Sequence, residues 1–167
     1  KEGNTPAWGA VYEQYFQEID KVKGQKGVLS VEKKLFVETN NGTNRQIRPV
    51  TPEQPLRIGD KVIVRLTIRT DREMNYVFLK DLRAGCFEPA DQLSGPESRD
   101  GIWYYRSPKD VSENFFINRL PEGTFVLEYP VYVSRSGEYA GGISTIQCMY
   151  APEFVSHTAG ESLRIMP

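Results

Sequence analysis

Strict alternation of apolar and polar residues most limits what this chain can fold into. In the stretch DKVIVRLTIRT the alternate positions Val62, Val64, Leu66 and Ile68 are apolar, and most of the residues between them are polar. A period of two places the apolar side chains on one face of an extended strand, because successive side chains point to opposite faces. The stretch therefore predicts a strand with one buried face.

Further strand signals run through the sequence. TFVLEYPVYV alternates in the same way, and YVFLKDL and NFFINRL are shorter apolar runs. Pro130 in the first of these has no N–H to donate, so we expect an edge position or a bulge there. Turn residues lie between the runs, at Asn41-Gly42, Pro121-Glu122-Gly123 and Ser136-Gly137. Short strands with regular turns and no repeated helical segment predict an all-β fold, an antiparallel β-sandwich.

Two stretches fit that pattern less well. EPADQLSGPESRDG is polar and rich in turn residues, so it predicts a long exposed loop. In WGAVYEQYFQEIDKV the apolar residues recur at spacings of three and four, which is typical of a helix. The same stretch also allows a strand with Trp8, Tyr12 and Phe16 on one face, because aromatic residues favour strands. The residues alone leave both possibilities open, and the periodicity favours the helix.

Length and charge limit the classes of partner. The chain has 167 residues, which predicts one domain over residues 1–167, and its formal net charge is −1. Lys and Arg are scattered rather than clustered, so we expect neither nucleic acid nor an anionic membrane surface as a partner. No apolar run approaches the roughly 20 residues that cross a bilayer, so we expect no direct membrane insertion.

Few residues are suited to catalysis or metal binding. The chain has one histidine and two cysteines, whereas a structural zinc site usually takes four such ligands. A Ser-His-Asp arrangement could use only His157, which lies in the polar stretch SHTAG and is expected to be an exposed loop residue. We therefore expect no catalytic residue, no metal site, no cofactor and no enzymatic activity.

Cys86 and Cys148 each lie where a strand run ends. In an oxidising compartment, and if the two strand ends are neighbours, they would form a disulfide that stabilises the fold. Two buried free thiols are equally compatible with the sequence, because free cysteine is often part of a core.

The stretch GIWYYRSP places Trp103, Tyr104 and Tyr105 in succession. Aromatic rings beside a loop can stack on sugars, so an extracellular carbohydrate-binding β-sandwich is the alternative function. Because side chains in a strand alternate between faces, the three rings cannot form one platform, and at least one should face the core.

A family resemblance adds to these observations. It is carried by GVLSVEKKLFVE, GDKVIVRLTI, YVFLKDLRAGCFEP, NFFINRLPEGTFVLEYPVYVSRSGEY and MYAPEFVSHTAG. In this order the stretches resemble, over roughly residues 8–165, the C-terminal macroglobulin-like domain of large bacterial alpha-2-macroglobulins. The resemblance implies a macroglobulin/immunoglobulin-like sandwich that is a fragment of a larger multidomain protein.

The resemblance also implies a function. Family members are protease inhibitors of the periplasm or cell envelope, anchored through a more N-terminal part. A protease cleaves a bait region, the molecule rearranges, and a thioester traps the attacker. The C-terminal domain packs against the thioester domain and its macroglobulin neighbours, and it protects the thioester through a tyrosine. The tyrosine of MYAP, Tyr150, with Met149 beside it, is the candidate for that shielding role.

Three expectations follow from the resemblance. Tyr150 should lie at a strand end near one tip of the sandwich, with much of its side chain exposed, because a residue that contacts a neighbouring domain lacks its partner in the isolated domain. The stretch WGAVYEQYF should be a strand, with Trp8, Tyr12 and Phe16 facing inward. The thioester should lie elsewhere, because the motif Cys-x-Glu-Gln is absent from this sequence.

Overall fold

The computed structural model describes residues 9–41 and 44–167. These residues form one 3-10 turn at Ile19–Lys21 and fourteen strands. The strands are β1 (Leu29–Asn41), β2 (Asn44–Pro49), β3 (Leu56–Arg57), β4 (Lys61–Thr70), β5 (Met74–Leu82), β6 (Phe87–Pro89), β7 (Gly95–Arg99), β8 (Ile102–Pro108), β9 (Ser112–Leu120), β10 (Gly123–Val133), β11 (Gly137–Ala140), β12 (Ser144–Cys148), β13 (Ala151–His157) and β14 (Ser162–Met166).

The strands are arranged in three sheets. A five-stranded sheet has the order β2-β1-β4-β10-β6, and a six-stranded sheet has the order β13-β12-β5-β9-β8-β7. Strand pairs within both are antiparallel, and their inner faces share one apolar core. A smaller sheet of β11, β14 and β3 includes a parallel pair between β14 and β3. The predicted β-sandwich is confirmed.

The alternating stretch DKVIVRLTIRT contains β4, in the middle of the five-stranded sheet. Val62, Val64, Leu66 and Ile68 are each at most 1% exposed. Burying such a side chain contributes about 1.5–3 kcal/mol, so these four residues add about 6–12 kcal/mol to the burial that closes the sandwich. The prediction of a strand with a buried face is confirmed.

Pro130 does not lie on an edge strand, because β10 runs between β4 and β6. However, β6 pairs only with Val131–Val133. The Pro130 carbonyl accepts a hydrogen bond from Ala90 N at 3.3 Å, on the β6 side. Since the N–H and C=O of one strand residue point to the same neighbour, the missing N–H also faces that side, just beyond the end of β6. Proline therefore removes no hydrogen bond between β10 and β4.

The predictions for the N-terminal stretch are wrong where the structure describes it. Residues 9–18 form neither a helix nor a strand, and Tyr12 and Phe16 are 89% and 107% exposed rather than inward-facing. Trp8 lies outside the described residues. In the described chain, the first sheet-like contact after this stretch is the bridge between Gln25 and His157. A strand requires a neighbour to bond with, and a short helix without a packing surface is only marginally stable.

Part of the predicted long loop is also a strand. Gly95–Arg99 forms β7 and pairs with β8 at the edge of the six-stranded sheet. Its sequence GPESR has no apolar alternation, because an edge strand with both faces near solvent needs none.

Candidate functional site

Tyr150 and Met149 form the two-residue turn that joins β12 to β13. The pair Cys148 and Ala151 face each other across it. The exposed fraction is 80% for Tyr150 and 55% for Met149. The expected exposure of Tyr150 at a strand end is confirmed, and its function as a shield stays a prediction.

Tyr76 of β5 contacts this turn through its ring and its backbone carbonyl. Its ring meets the Tyr150 ring edge to face, with centroids 5.1 Å apart and planes 81° apart. The backbone N–H of Met149 donates to the Tyr76 carbonyl at 2.9 Å. The Cys148 thiol donates to the Asn75 carbonyl at 3.2 Å. The turn is therefore attached to β5 through its backbone, a thiol and a ring contact.

The strand after the turn is irregular. Gln147 pairs with Val155, but the next residue, Cys148, pairs with Ala151. The intervening residues Pro152–Phe154 form a bulge on β13, the edge strand of the sheet. Proline is tolerated at such a place because it has no N–H to give to a ladder, and a bulge bends the strand locally. The bulge thus lies directly after the Tyr150 turn.

An exposed aromatic row crosses the outer face of the six-stranded sheet beside this turn. Phe78, Phe116 and Tyr105 lie opposite one another on β5, β9 and β8. The rings of Phe78 and Phe116 stack with centroids 4.9 Å apart. Phe116 and Tyr105 are 40% and 47% exposed, and Trp103, on the same face of β8, is 71% exposed. The chain therefore presents an apolar surface on this face, which begins where Phe78 lies opposite Gln147, three residues before Tyr150.

Tyr104, between Trp103 and Tyr105, faces the interior as the alternation predicts. It is 6% exposed, and its ring contacts that of Phe115 with centroids 5.7 Å apart. Its hydroxyl donates to Glu97 Oε2 at 3.0 Å. Burial, with the Glu97 carboxylate, raises the pKa of Tyr104 to about 12. Only two of the three candidate sugar-binding rings are accessible.

The predicted disulfide is not formed: Cys86 and Cys148 are buried free thiols. Cys148 lies opposite Val77, near the start of β5, whereas Cys86 follows the end of that strand at Leu82. Val77 and Leu82 are five strand residues apart, which is about 16 Å at about 3.3 Å per residue, so the two cysteines lie towards opposite ends of β5. A disulfide requires Cα atoms within about 7 Å. Burial raises the pKa of the Cys86 thiol to about 11.

A buried carboxylate, which the sequence analysis missed, joins the two large sheets. Asp81 of β5 is fully buried and accepts hydrogen bonds from Lys33 Nζ at 2.9 Å, from Ser144 Oγ at 2.6 Å and from the hydroxyl of Tyr129. Lys33 and Tyr129 come from the five-stranded sheet, and Asp81 and Ser144 from the six-stranded sheet. Lys33 Nζ also donates to the carbonyls of Leu82 at 3.0 Å and Gly141 at 3.2 Å. Burial, with the Asp81 carboxylate, raises the pKa of Tyr129 well above its usual value.

A second carboxylate lies beside the first. Glu113 of β9 faces Asp81 across the ladder and is fully buried. It accepts hydrogen bonds from Arg106 Nε at 2.7 Å and from Arg83 Nη2 at 3.3 Å. Burial raises the pKa of Glu113, and the two guanidinium groups act against that rise. We call Lys33, Asp81, Arg83, Arg106 and Glu113 the buried charge cluster.

The buried charge cluster has a structural role. Its side chains are at most 7% exposed, so a substrate could not reach them without opening the sandwich. The sequence does indicate that Asp81 is buried. In the alternation of β5, Asp81 shares a face with the apolar residues Val77 and Leu79, whereas a solvated carboxylate is expected on the opposite face.

His157 is not the loop residue that was expected. It is the last residue of β13, half-buried, and its backbone bonds to Gln25 in both directions, at 2.9 and 3.0 Å. Among the residues that the structure describes, no group of three or more His, Cys, Asp or Glu side chains could hold a metal ion. Within the same residues, no helix is long and apolar enough to cross a membrane.

Similar proteins identify the family. The family model of the bacterial alpha-2-macroglobulin MG10 domain matches residues 29–153. The structure of Salmonella alpha-2-macroglobulin reacted with methylamine is 21% identical over 87% of this chain, with a TM-score of 0.67. That of Escherichia coli alpha-2-macroglobulin activated by porcine elastase is 18% identical over 87%, with the same TM-score of 0.67. At these identities the two structures show the fold alone.

The chain corresponds to a small part of each of these proteins. It covers 10% of the Salmonella structure and 14% of the Escherichia coli structure. A curated relative, circularly permutated Ras protein 2 of Dictyostelium discoideum, is 28% identical over 109 residues, which is 65% of this chain and 3% of that protein. The match to the family model covers most of the sandwich, from β1 to the turn that carries Tyr150 and the start of β13. The chain therefore belongs to the bacterial alpha-2-macroglobulin MG10 domain family.

Proposed function

We propose that this domain shields a thioester in a bacterial alpha-2-macroglobulin-like protease inhibitor. In this proposal it packs against the thioester domain and neighbouring macroglobulin domains of the same protein, and it holds Tyr150 and Met149 over the thioester until a protease cleaves the protein. The observation that carries the proposal is the 80% exposure of Tyr150 on a turn attached to β5.

The chemistry of the turn suits this task. A thioester carbonyl is consumed when water or an amine attacks it, and an apolar ring laid against it excludes both. Tyrosine offers a flat apolar face and a hydroxyl that can hydrogen-bond at the rim of the contact, and methionine fills irregular space beside it. The aromatic row beside the turn adds apolar surface that a neighbouring domain would cover.

The wider biology of the protein follows as part of the proposal. The similar Salmonella protein was reacted with methylamine, an amine nucleophile, and the Escherichia coli protein was activated by elastase, a protease. Both fit an inhibitor with an amine-reactive group and a protease trigger. The thioester would belong to another domain, since Cys-x-Glu-Gln is absent here. The domain itself would act without catalysis, and the whole protein would work in the periplasm or cell envelope against proteases.

Methylamine tests the shield in the complete protein that contains this domain. The amine attacks the thioester carbonyl, an amide forms, the C–S bond breaks, and the cysteine leaves as a thiol that a colorimetric reagent measures. Tyr150→Ala should release the thiol several-fold faster than the unchanged protein before any protease is added, and Tyr150→Phe should stay closer to it. Tyr132→Ala, at a half-exposed tyrosine of the other large sheet, is the control. An unchanged rate in a folded Tyr150→Ala protein would refute the shielding role.

The carbohydrate-binding alternative also has an observation in its favour. Trp103 and Tyr105 lie on the same outer face and are 71% and 47% exposed, so two rings could stack on a sugar chain. A glycan array with the unchanged chain and with Trp103→Ala tests it directly. Selective binding that Trp103→Ala removes would favour this function, and an array without selective binding would exclude it.

A further inference from the structure

We propose that Tyr76 is a positioning residue that fixes the orientation of the Tyr150 ring. The inference rests on the proposed shielding function and names the residue on which the shield depends. It is carried by the backbone conformation of Tyr76, by its contacts with the turn and by its own exposure.

The backbone of Tyr76 is strained. Its φ angle is +56°, in the left-handed region that residues other than glycine rarely adopt. Asp100, which lies beside Gly101 in the turn between β7 and β8, is the one other non-glycine residue with positive φ in the described part of the chain. Tyr76, in contrast, lies inside a strand. In the ladder between β5 and β9, Asn75 pairs with Arg119 and Val77 pairs with Ile117, and Tyr76 between them is left out of the pairing. A strained, bulky residue inside a strand persists only where something else holds it.

Burial of the Tyr76 side chain does not explain the strain. Its side chain is 53% exposed, whereas Val77 and Leu79 on the inner face of the same strand are at most 1% exposed. The residue with the strained backbone instead makes two contacts with the turn. The Tyr76 carbonyl accepts the Met149 N–H at 2.9 Å, and the Tyr76 ring meets Tyr150 edge to face at 5.1 Å. The conformation therefore serves the turn rather than the core.

The contact with Tyr76 would restrict an otherwise free side chain. A tyrosine that is 80% exposed on a two-residue turn can occupy several rotamers, because few atoms surround it. An edge-to-face aromatic contact favours one orientation by about two- to twelvefold over the others. Whenever the Tyr150 ring turns away from the thioester, an amine can reach the thioester carbonyl. Tyr76 would thus lower the rate at which an unactivated inhibitor loses its thioester.

The variant Tyr76→Gly separates positioning from stability. Glycine adopts positive φ without strain, so the variant should unfold at the same temperature or a higher one, although it lacks the ring. In the complete protein it should react with methylamine about two- to tenfold faster, because Tyr150 loses its contact. Tyr76→Phe keeps the ring and should restore the slow rate. Tyr132→Ala removes a half-exposed tyrosine of the other large sheet, and should also react slowly.

A second readout uses the 167-residue chain itself. The ring current of Tyr76 acts on the aromatic protons of Tyr150, so their NMR resonances should move in Tyr76→Gly and in Tyr76→Leu but not in Tyr132→Ala. Unmoved resonances would overturn the positioning role.

The two readouts also separate this inference from the shielding proposal. A fast amine reaction in Tyr150→Ala together with an unchanged rate in Tyr76→Gly would overturn the inference and leave the shield intact. An unchanged rate in Tyr150→Ala would overturn the shield, and moved Tyr150 resonances in Tyr76→Gly would then still support Tyr76 as the residue that orients the ring.

Discussion

Replacing Lys33 with methionine tests whether the buried charge cluster joins the two large sheets. Methionine has a similar length and is apolar, so the change removes the charge and leaves most of the packing volume. The Asp81 carboxylate then keeps the hydrogen bonds from Ser144 and Tyr129 but loses its cation. The carbonyls of Leu82 and Gly141 lose their Lys33 donor as well.

The expected loss is large because Asp81 is fully buried and the Lys33 side chain is 5% exposed. Removing one partner of a buried ion pair costs about 3–5 kcal/mol in the free energy of unfolding. For a chain of this length that lowers the melting temperature by about 6–20 °C. Lys34→Met is the matched control, since the neighbouring Lys34 side chain is 62% exposed and its ion pair with Glu32 should contribute less than about 1 kcal/mol.

Urea unfolding at pH 7 measures the free energy of unfolding of both variants. An unchanged m value shows that their folded and unfolded states are comparable with those of the unchanged chain. A double-mutant cycle with Asp81→Asn isolates the interaction between the two side chains. We expect the double variant to be at least about 2 kcal/mol more stable than the sum of the single losses predicts. A loss below about 1 kcal/mol in Lys33→Met, or strict additivity in the cycle, would refute the assigned role.

Three further predictions concern single positions. Tyr129→Phe removes a hydrogen bond to the buried Asp81 carboxylate and should cost about 1.5–3 kcal/mol in urea unfolding. Gly142→Ala places a Cβ 2.1 Å from the Leu82 carbonyl oxygen at positive φ and should cost more than about 4 kcal/mol in the free energy of unfolding. Gly59→Ala, at a similar φ but in open space, should cost about 1–2 kcal/mol, and equal losses in the two variants would contradict the steric reason. The Cys86 thiol, with a pKa of about 11, should be about one-thousandth ionised at pH 8 and should react with a thiol reagent only after denaturation; rapid labelling of the folded chain would contradict its burial.

The sandwich could be predicted from the sequence wherever a strand has one face in the core. Alternation identified β4 and β10, and short apolar runs identified β5 and β9, because most of the residues that these strands turn towards the core are apolar. The exposure of Tyr150 followed from the family resemblance. The burial of one ring among Trp103, Tyr104 and Tyr105 followed from the same period of two.

Other features depend on contacts that a linear pattern does not carry. The aromatic stretch that includes Tyr12 and Phe16 has a helical period, yet these two side chains are exposed and so lack the packing that would stabilise a helix. The disulfide prediction needed the register of β12 on β5, which places Cys86 and Cys148 at opposite ends. The conformation of Tyr76 is also set by tertiary contacts, because the local sequence does not predict a positive φ at this tyrosine.

The pairing of β5 with β12 has a mechanical consequence. The same two strands carry the Tyr150 turn at one end, where Cys148 faces Val77, and the buried charges at the other, where Ser144 faces Asp81. A force applied to the tip along the strands would load the ladder bonds between these two points together, in shear. In the proposed assembly, the pair of β5 and β12 would therefore transmit a displacement of the neighbouring domain without separating one hydrogen bond at a time.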